Sequence, residues 1–390
     1  MKSCGVITEY NPFHNGHAYH LKKAREVSGA EVIVAIMSGN FLQRGEPAII
    51  DKWQRAEVAL AHGADIVIEL PFAYAVQSAD YFGFGGVKLL QALEVDSLCF
   101  GTDSEDAVDY QFFADFNQRH QQELEQAFQA IRNNGMSYPQ QMTEVYRQLL
   151  PEWRLDFDSP NHILGMSYAK ANQGFQRPMT LFPIKRQVTR HHQVDIASQE
   201  FASGTAIRKA ILSADHQQLE PVMPETTYKL LTSVPLRSWE LAWPLLKYQL
   251  TVSTVAQLSQ CYQVVEGIEY RLKEMAVKAT SFEEFVSLVK SKRFTWTRIQ
   301  RLCTYLLIHV SQAEIDGVRS NSYLRVLGFN DLGRQFLGQQ RKKVSLPLIT
   351  KVSKANEGML SLDIRAGQVY QLLADSAPQD YYRKPFISLG

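Results

Sequence analysis

The segment from Cys4 to His20 constrains this chain more than any other. Cys4-Gly-Val-Ile-Thr-Glu-Tyr10 runs straight into Asn11-Pro-Phe-His-Asn-Gly-His-Ala-Tyr-His20. The apolar run predicts a buried strand ending at a turn dipeptide. Pro12 holds Asn11 extended, so the chain leaves the strand without entering a helix. A helix is expected from Asn15 or Gly16 through Leu21 and Ala24, closing at Ser28-Gly29. His14 and His17 then stand three residues apart across a helix start, within reach of one ligand. Gly16 between them lets a flat ring or a phosphate approach the backbone. Open amides and the positive end of the helix dipole favour an anion there, and two imidazoles add donors for charge building on phosphoryl oxygens. Two satisfied surface histidines are the plain alternative. A metal site of His14, His17 and His20 is another, weakened by the lack of cysteine or carboxylate at ligand spacing.

The rest of the first half reads as alternating strand and helix. Glu31–Met37, Ala64–Leu70, Asp96–Phe100 and Met179–Phe182 are expected strands. Asp51 caps a helix running to His62, and a further helix over Gln77–Leu93 is loosened by Gly83, Gly85 and Gly86. Short connections between them argue for an α/β, doubly wound parallel sheet. Ligands of such sheets sit beyond the carboxyl ends of the strands. Three stretches meet there: Tyr10–His17, Ser38–Arg44 with Gln43, and Gly101–Asp103. His-x-Gly-His after a first strand resembles the nucleotidylyl transferase superfamily, which splits ATP between its α and β phosphates. Ser203, Thr205 and Arg208, at the start of a helix over Ser203–Ile211, resemble that superfamily's second phosphate-gripping element. An ordinary helix cap is the alternative there.

A chain of 390 residues is long for one core, and the composition changes near Pro221–Pro224. Residues 1–224 hold 19 Lys and Arg against 26 Asp and Glu, whereas residues 225–390 hold 22 against 14. The net charge of +1 therefore conceals a swing from −7 to +8. We expect an ATP-handling sheet domain over 1–224 and a mainly helical, basic domain over 225–390. The expected helices of the second part are Tyr228–Leu231, Leu241–Gln249, Ile268–Ala279, Phe282–Lys290 and Thr297–His309. Lys290, Lys292, Arg293, Arg298 and Arg301 are interleaved with Phe294 and Trp296, and Arg341-Lys342-Lys343 forms a second cluster. Such mixtures contact phosphates and stack on unpaired bases; a solvated helix face with Trp296 turned inward is the alternative. No apolar run approaches the ~18 residues of a membrane span, so no membrane is expected. Four scattered cysteines without a Cys-x-x-Cys fit a reducing cytoplasm.

At this point Ile7–His20, Met37-Ser-Gly-Asn-Phe-Leu-Gln-Arg-Gly-Glu-Pro47, Asp65–Pro71, Phe100-Gly101, Ser159-Pro160-Asn161, Lys185-Arg186 and Glu266-Gly267 together resemble the bacterial tRNA(Met) cytidine acetate ligase family. The resemblance covers nearly the whole chain and is densest in the first 110 residues; it departs at Thr8, where the family often has valine. It implies that ATP and acetate form acetyl-adenylate with release of pyrophosphate. The acetyl group then passes to N4 of the wobble cytidine of elongator tRNA(Met). By position, the resemblance implies an ATP site of Ile7, Thr8, Glu9, Tyr10, Asn11, Pro12, Phe13, His14, Asn15, Gly16, His17, Ala18, Tyr19 and His20 with Gly101, Asn161 and Arg186. His14 and His17 would be catalytic. Mg2+ is expected beside the triphosphate, with no protein ligand assignable. Acetate is already ionised at neutral pH and needs no general base to attack, which suits a site of electrophilic groups. Two other readings stay open: adenylylation of a small phosphorylated metabolite, and nucleotide-regulated RNA binding without turnover.

Overall fold

A computed structural model describes residues 1–102, 110–132, 134, 136, 138–151, 159–186, 200–213 and 219–388. Strands β1 (Ser3–Thr8), β2 (Val32–Ser38), β3 (Ile66–Leu70), β4 (Ser97–Thr102) and β5 (Thr180–Lys185) form a parallel sheet in the order β5-β4-β1-β2-β3. The expected strands are all present, and their side chains explain why. Every residue of β1, β2 and β3 is buried, because helices cover both faces. The chain winds outward from β1 in both directions, so the strand order reverses between β1 and β4. That reversal is where a doubly wound sheet opens a crevice at its carboxyl edge.

Helices α1 (Asn15–Ser28), α2 (Lys52–Ala61), α3 (Phe72–Ala75) and α4 (Ala79–Ala92) connect the first four strands. Gly29 closes α1 at φ +61° as expected, and Asp51 caps α2 through the amides of Trp53 and Gln54. Gly85 and Gly86 do not loosen α4. Gly86 lets it press on the sheet, where a Cβ would lie 2.6 Å from Ile7 Cδ1, and Gly85 lets it approach Tyr74 of α3. Helices α5 (Tyr110–Arg119), α6 (Gln121–Ile131), α7 (Tyr138–Leu149) and α8 (Pro160–Gln173) lie between β4 and β5, and α9 (Gly204–Leu212) follows β5.

Beyond residue 224 come α10 (Glu225–Ser233), α11 (Trp239–Val252), α12 (Val255–Leu258), α13 (Ile268–Lys278), α14 (Phe282–Val289), α15 (Trp296–Ile308) and α16 (Gln312–Ser320). This part is helical as expected up to Ser320, but then the chain returns to the sheet. Strand β6 (Leu324–Phe329) pairs antiparallel with β3; after α17 (Asp331–Gln340), β7 (Leu348–Ile349) and, after α18 (Ser361–Gln371), β8 (Phe386–Ile387) pair with β6. The sequence hid β6 because Arg325 interrupts its apolar run; in the structure Arg325 is buried, with its guanidinium beside the Trp53 ring and Nη2 donating to the Asp380 carbonyl at 3.4 Å. The two parts are therefore joined twice. The helical core also takes in Phe41, Phe72, Ala73 and Val76 from the first 224 residues.

A buried ionic group marks the seam. Lys52 Nζ lies 2.8 Å from both Glu69 Oε1 and Asp380 Oδ1. Burial opposes a charge on Lys52, but Asp380 and Glu69 outweigh it and raise its pKa. Nearby, Asp363 accepts the Phe72 amide at 2.9 Å and the Tyr323 hydroxyl. Burial and Glu69 push Asp363 up to about 7.

Candidate active site

Three loops from the carboxyl ends of β1, β2 and β4 meet at the crevice, together with the starts of α8 and α9. The β1 loop is the most tightly specified. Tyr10 adopts φ +51°, a conformation bulky residues rarely hold, with its ring buried edge-on against His17 and tilted over Phe13. Asn11 Oδ1 accepts the Ile49 amide at 2.8 Å, which anchors the loop to the β2 side. The chain then turns through Pro12 and Phe13 into α1.

The two histidines do double duty at that helix start. His14 is the N-cap, and its Nδ1 accepts the Gly16 amide at 3.1 Å. His17, three residues on, returns the contact: its Nδ1 accepts the His14 amide at 3.3 Å. This is a capping box made of two imidazoles, with the rings stacked 3.8 Å apart. Because both Nδ1 atoms accept, the neutral form of each ring carries its proton on Nε2. Both rings are held neutral. Burial, then Arg186 and Arg208, lower His14 to about 3. Burial, His14 and Arg186 lower His17 well below the ordinary value. The pair offers two neutral N–H donors rather than two cations.

The other residues of the β1 segment divide by depth. Ile7 and Thr8 end the strand, Ala18 packs α1 onto the sheet, and Tyr19 meets Phe201 edge-on. His20 lies one turn deeper, beside the Cys99 backbone in β4, and burial and Arg186 lower it to about 4. Asn15 secures the chain after residue 199 by donating to the carbonyls of Glu200 at 3.0 Å and Pro221 at 2.8 Å.

Arg186 and Gly101 occupy the β4–β5 side. The Arg186 amide donates to the Thr102 carbonyl at 3.0 Å, and a Cβ on Gly101 would lie 3.0 Å from Arg186 Cγ. Gly101 thus leaves room for the Arg186 stem. Asn161 sits in the first turn of α8, behind the Ser159 cap. Asp103 lies outside the described residues. On the opposite wall Ser203 caps α9 by accepting the Ala206 amide at 3.1 Å, and Thr205 follows in the first turn. Arg208 reaches the crevice but is engaged: Nη1 donates to the Asn11 carbonyl at 2.7 Å and Nη2 meets Glu46 at 3.1 Å.

Sequence reasoning carried Glu9 only as a member of the ATP site implied by the resemblance, and passed over Arg55. Glu9, at the end of β1, accepts from the Gln43 amide at 2.7 Å and the Ser38 hydroxyl at 3.2 Å, and burial raises its pKa. Arg55 is fully buried in α2 and donates to the carbonyls of Glu9 at 2.6 Å, Ser38 at 3.1 Å, Ile50 at 3.2 Å and Gly39. It ties the ends of β1 and β2 together. A charged residue beside Trp53 and Ala56 reads as the solvent face of a helix, so no local pattern exposes this role.

The family model described as HIGH Nucleotidyl Transferase matches residues 1–384. The tRNA(Met) cytidine acetate ligase of Lactiplantibacillus plantarum is 43% identical, covering 99% of this chain and 98% of that protein. That of Latilactobacillus sakei is 40% identical over 100% and 98%. The chain belongs to the tRNA(Met) cytidine acetate ligase family. Two crystal structures of Thermotoga maritima TmcAL, 30% identical, superpose over the whole of both chains, the apo form with a TM-score of 0.92 and the form bound with alpha-thio ATP with 0.91.

For a member of this ligase family, the two basic clusters singled out in the helical part fall in separate places. Lys290, Lys292 and Arg293 are exposed in the turn between α14 and α15, with Arg293 paired to Glu266 at 2.8 Å. Phe294 and Trp296 pack toward the helical core, and Arg298 lies over the Phe294 ring at 4.3 Å. Those aromatics are packing residues. Arg341, Lys342 and Lys343 end α17 elsewhere: Lys343 lies 3.6 Å from Glu94, which precedes β4. That is the amino edge of the parallel strands, the end opposite the crevice.

Proposed function

We propose that this protein is an ATP-dependent tRNA(Met) cytidine acetate ligase, with acetate activation in residues 1–224 and RNA binding in residues 225–390. The observation that carries the reading is the imidazole capping box at the strand-order reversal, in a chain 43% identical to a ligase of that name. Acetate attacks the α-phosphorus of ATP; the new oxygen–phosphorus bond forms as the bond to the β-phosphate oxygen breaks. Negative charge grows on the α-phosphoryl oxygens and on the departing pyrophosphate. His14 and His17 meet that charge with Nε2–H donors fixed before the reaction, which avoids reorganisation at the transition state. Arg186 and Arg208 add positive charge from the two walls. The second step joins the cytidine N4 to the acetyl carbon, breaks the mixed anhydride and releases AMP and a proton.

Magnesium would enter with the triphosphate. No three His, Cys, Asp or Glu residues come together as a metal site among the described residues, and Glu9 and Glu46 are both engaged by protein donors. Among the described residues the crevice supplies no ready carboxylate for the ion. Among the described residues no helix is long and apolar enough to cross a membrane. An elongator tRNA substrate would put the enzyme in the cytoplasm.

Pyrophosphate release from ATP, with and without acetate and tRNA, tests the reading, together with transfer of labelled acetate to tRNA(Met). Acetate-dependent release and labelled tRNA are expected. Release that needs a phosphorylated metabolite in place of acetate would favour the first alternative. RNA binding without any release would favour the second.

A further inference from the structure

The loop after β2, residues 41–47, touches more of the molecule than its length suggests. Phe41 bridges to Pro47, Leu42 accepts the Gly45 amide at 2.8 Å, and Phe41 and Leu42 are buried. On one side the Gln43 amide donates to Glu9, at the strand end that carries the histidine loop, and Gln43 Nε2 donates to the Gln77 carbonyl at 2.7 Å. On the other side Gly45, at φ +83°, presses on α15: a Cβ there would lie 2.5 Å from the Arg301 amide nitrogen. Thr304 of α15 donates to the Gly45 carbonyl, and Glu46 holds Arg208. Between these pinned neighbours projects one exposed side chain, Arg44, which makes no hydrogen bond or ion pair among the described residues.

Arg44 stands where two regions meet. Its neighbour in sequence on one side contacts the crevice residue Glu9, and on the other side the helix that carries Arg298 and Arg301. Its charge is felt by both Glu9 and Arg301. None of Arg44, Arg298 and Arg301 forms an ion pair among the described residues. Arg301 feels the positive charges of both Arg298 and Arg44. Although Glu266 offsets Arg298 and Glu9 lies near Arg44, mutual repulsion among the three cations is relieved by an incoming polyanion.

Resting on the ligase reading, we propose that Arg44 is a positioning residue for the RNA, gripping a backbone phosphate beside the target cytidine where the basic helical face meets the crevice. The rigid loop fixes the phosphate relative to His14 and His17. That sets the distance from the cytidine amine to the adenylate.

Arg44→Gln and Arg44→Lys in the full-length enzyme test this, with wild-type labelling of tRNA measured first. Loss of one charge-assisted phosphate contact should raise the KM for tRNA by about tenfold or more. It should also lower the slope of log binding constant against log salt by about 0.7–0.9. Arg44→Lys should recover most of the KM, because the charge is retained, which a merely structural side chain would not require. Acetate-dependent pyrophosphate release without RNA serves as the control that the crevice is intact. An unchanged tRNA KM and salt slope in Arg44→Gln would overturn the proposal. So would a parallel loss of release without RNA, which would place Arg44 in the nucleotide site. A wild-type enzyme that labels no tRNA would overturn the ligase reading itself, and this proposal with it.

Discussion

The imidazole capping box allows two jobs of one residue to be separated by choice of substitution. His14 caps α1 through Nδ1 and is proposed to donate through Nε2. His14→Ala removes both functions. Asparagine is among the best N-caps and its side-chain oxygen can accept the Gly16 amide, so His14→Asn should keep the cap and lose only the catalytic donor. Losing the cap costs about 0.5–2 kcal/mol of stability. Losing one preorganised donor at developing charge costs roughly 2.7–4 kcal/mol in the transition state, about 10²–10³-fold in turnover. The two variants should therefore share a low rate of acetate-dependent pyrophosphate release, while urea unfolding separates them by the cap alone. A pH series adds a second readout. The unfolded chain takes up a proton near 6.5, whereas folded His14 does so only at about 3. The stability contributed by the neutral ring is thus complete above pH 6.5 and is lost as the pH falls toward 3. His14→Asn should reduce that slope. Wild-type turnover in a folded His14→Asn enzyme would refute the reasoning and leave His14 as a cap only.

Replacing Gly101 by leucine should drive a side chain into the Arg186 stem, 3.0 Å from where its Cβ would sit, and weaken ATP binding with an unchanged circular dichroism spectrum. Unaltered ATP affinity would remove this strand end from the site. Asp363→Asn mimics the protonated acid that burial and Glu69 favour up to about pH 7. The folded chain holds a proton between about 3.8 and 7 that the unfolded chain lacks, so wild-type stability from this group declines as pH rises through that window. The variant should be the more stable protein at pH 8, with the advantage shrinking toward pH 4; a difference independent of pH in urea unfolding would contradict this. Neutralising Lys292, Arg293 and Arg298 together should weaken tRNA binding and flatten its salt dependence, while acetate-dependent pyrophosphate release persists. Unchanged binding at several salt concentrations would clear that turn.

Local signals made the first half of the fold legible. Mainly apolar strands, Asp51 as a cap and Gly29 as a stop are properties of short segments, and each appeared where its chemistry predicts. The histidine-bearing helix start after β1 was legible for the same reason, since His14, Gly16 and His17 are close in sequence. What the sequence concealed depends on partners far along the chain. Arg55 reads as a surface cation until four backbone carbonyls surround it, and Arg325 hides a central strand because Trp53 and Asp380 lie far from it in sequence. The charge of the second half was visible, but its division between the α14–α15 turn and the amino edge of the sheet was not. Arg44 was visible as a loop residue, yet its position between crevice and helix depends on Gly45 docking against α15.

The return of β6 to the sheet has a consequence for how the enzyme comes into being. Strand β3 is an open edge until Leu324–Phe329 arrives, and Lys52 faces Glu69 without its second counter-ion until Asp380 is present. A growing chain that has emerged only as far as residue 224 holds all of the histidine loop, yet its sheet is unfinished and the Lys52–Glu69 pair lacks Asp380 and Arg325 beside it. The sheet that carries the histidine loop is complete only once residues 324–387 have been made. Products ended before Leu324 would then carry the histidine loop on an open-edged sheet, exposed to pairing with other chains.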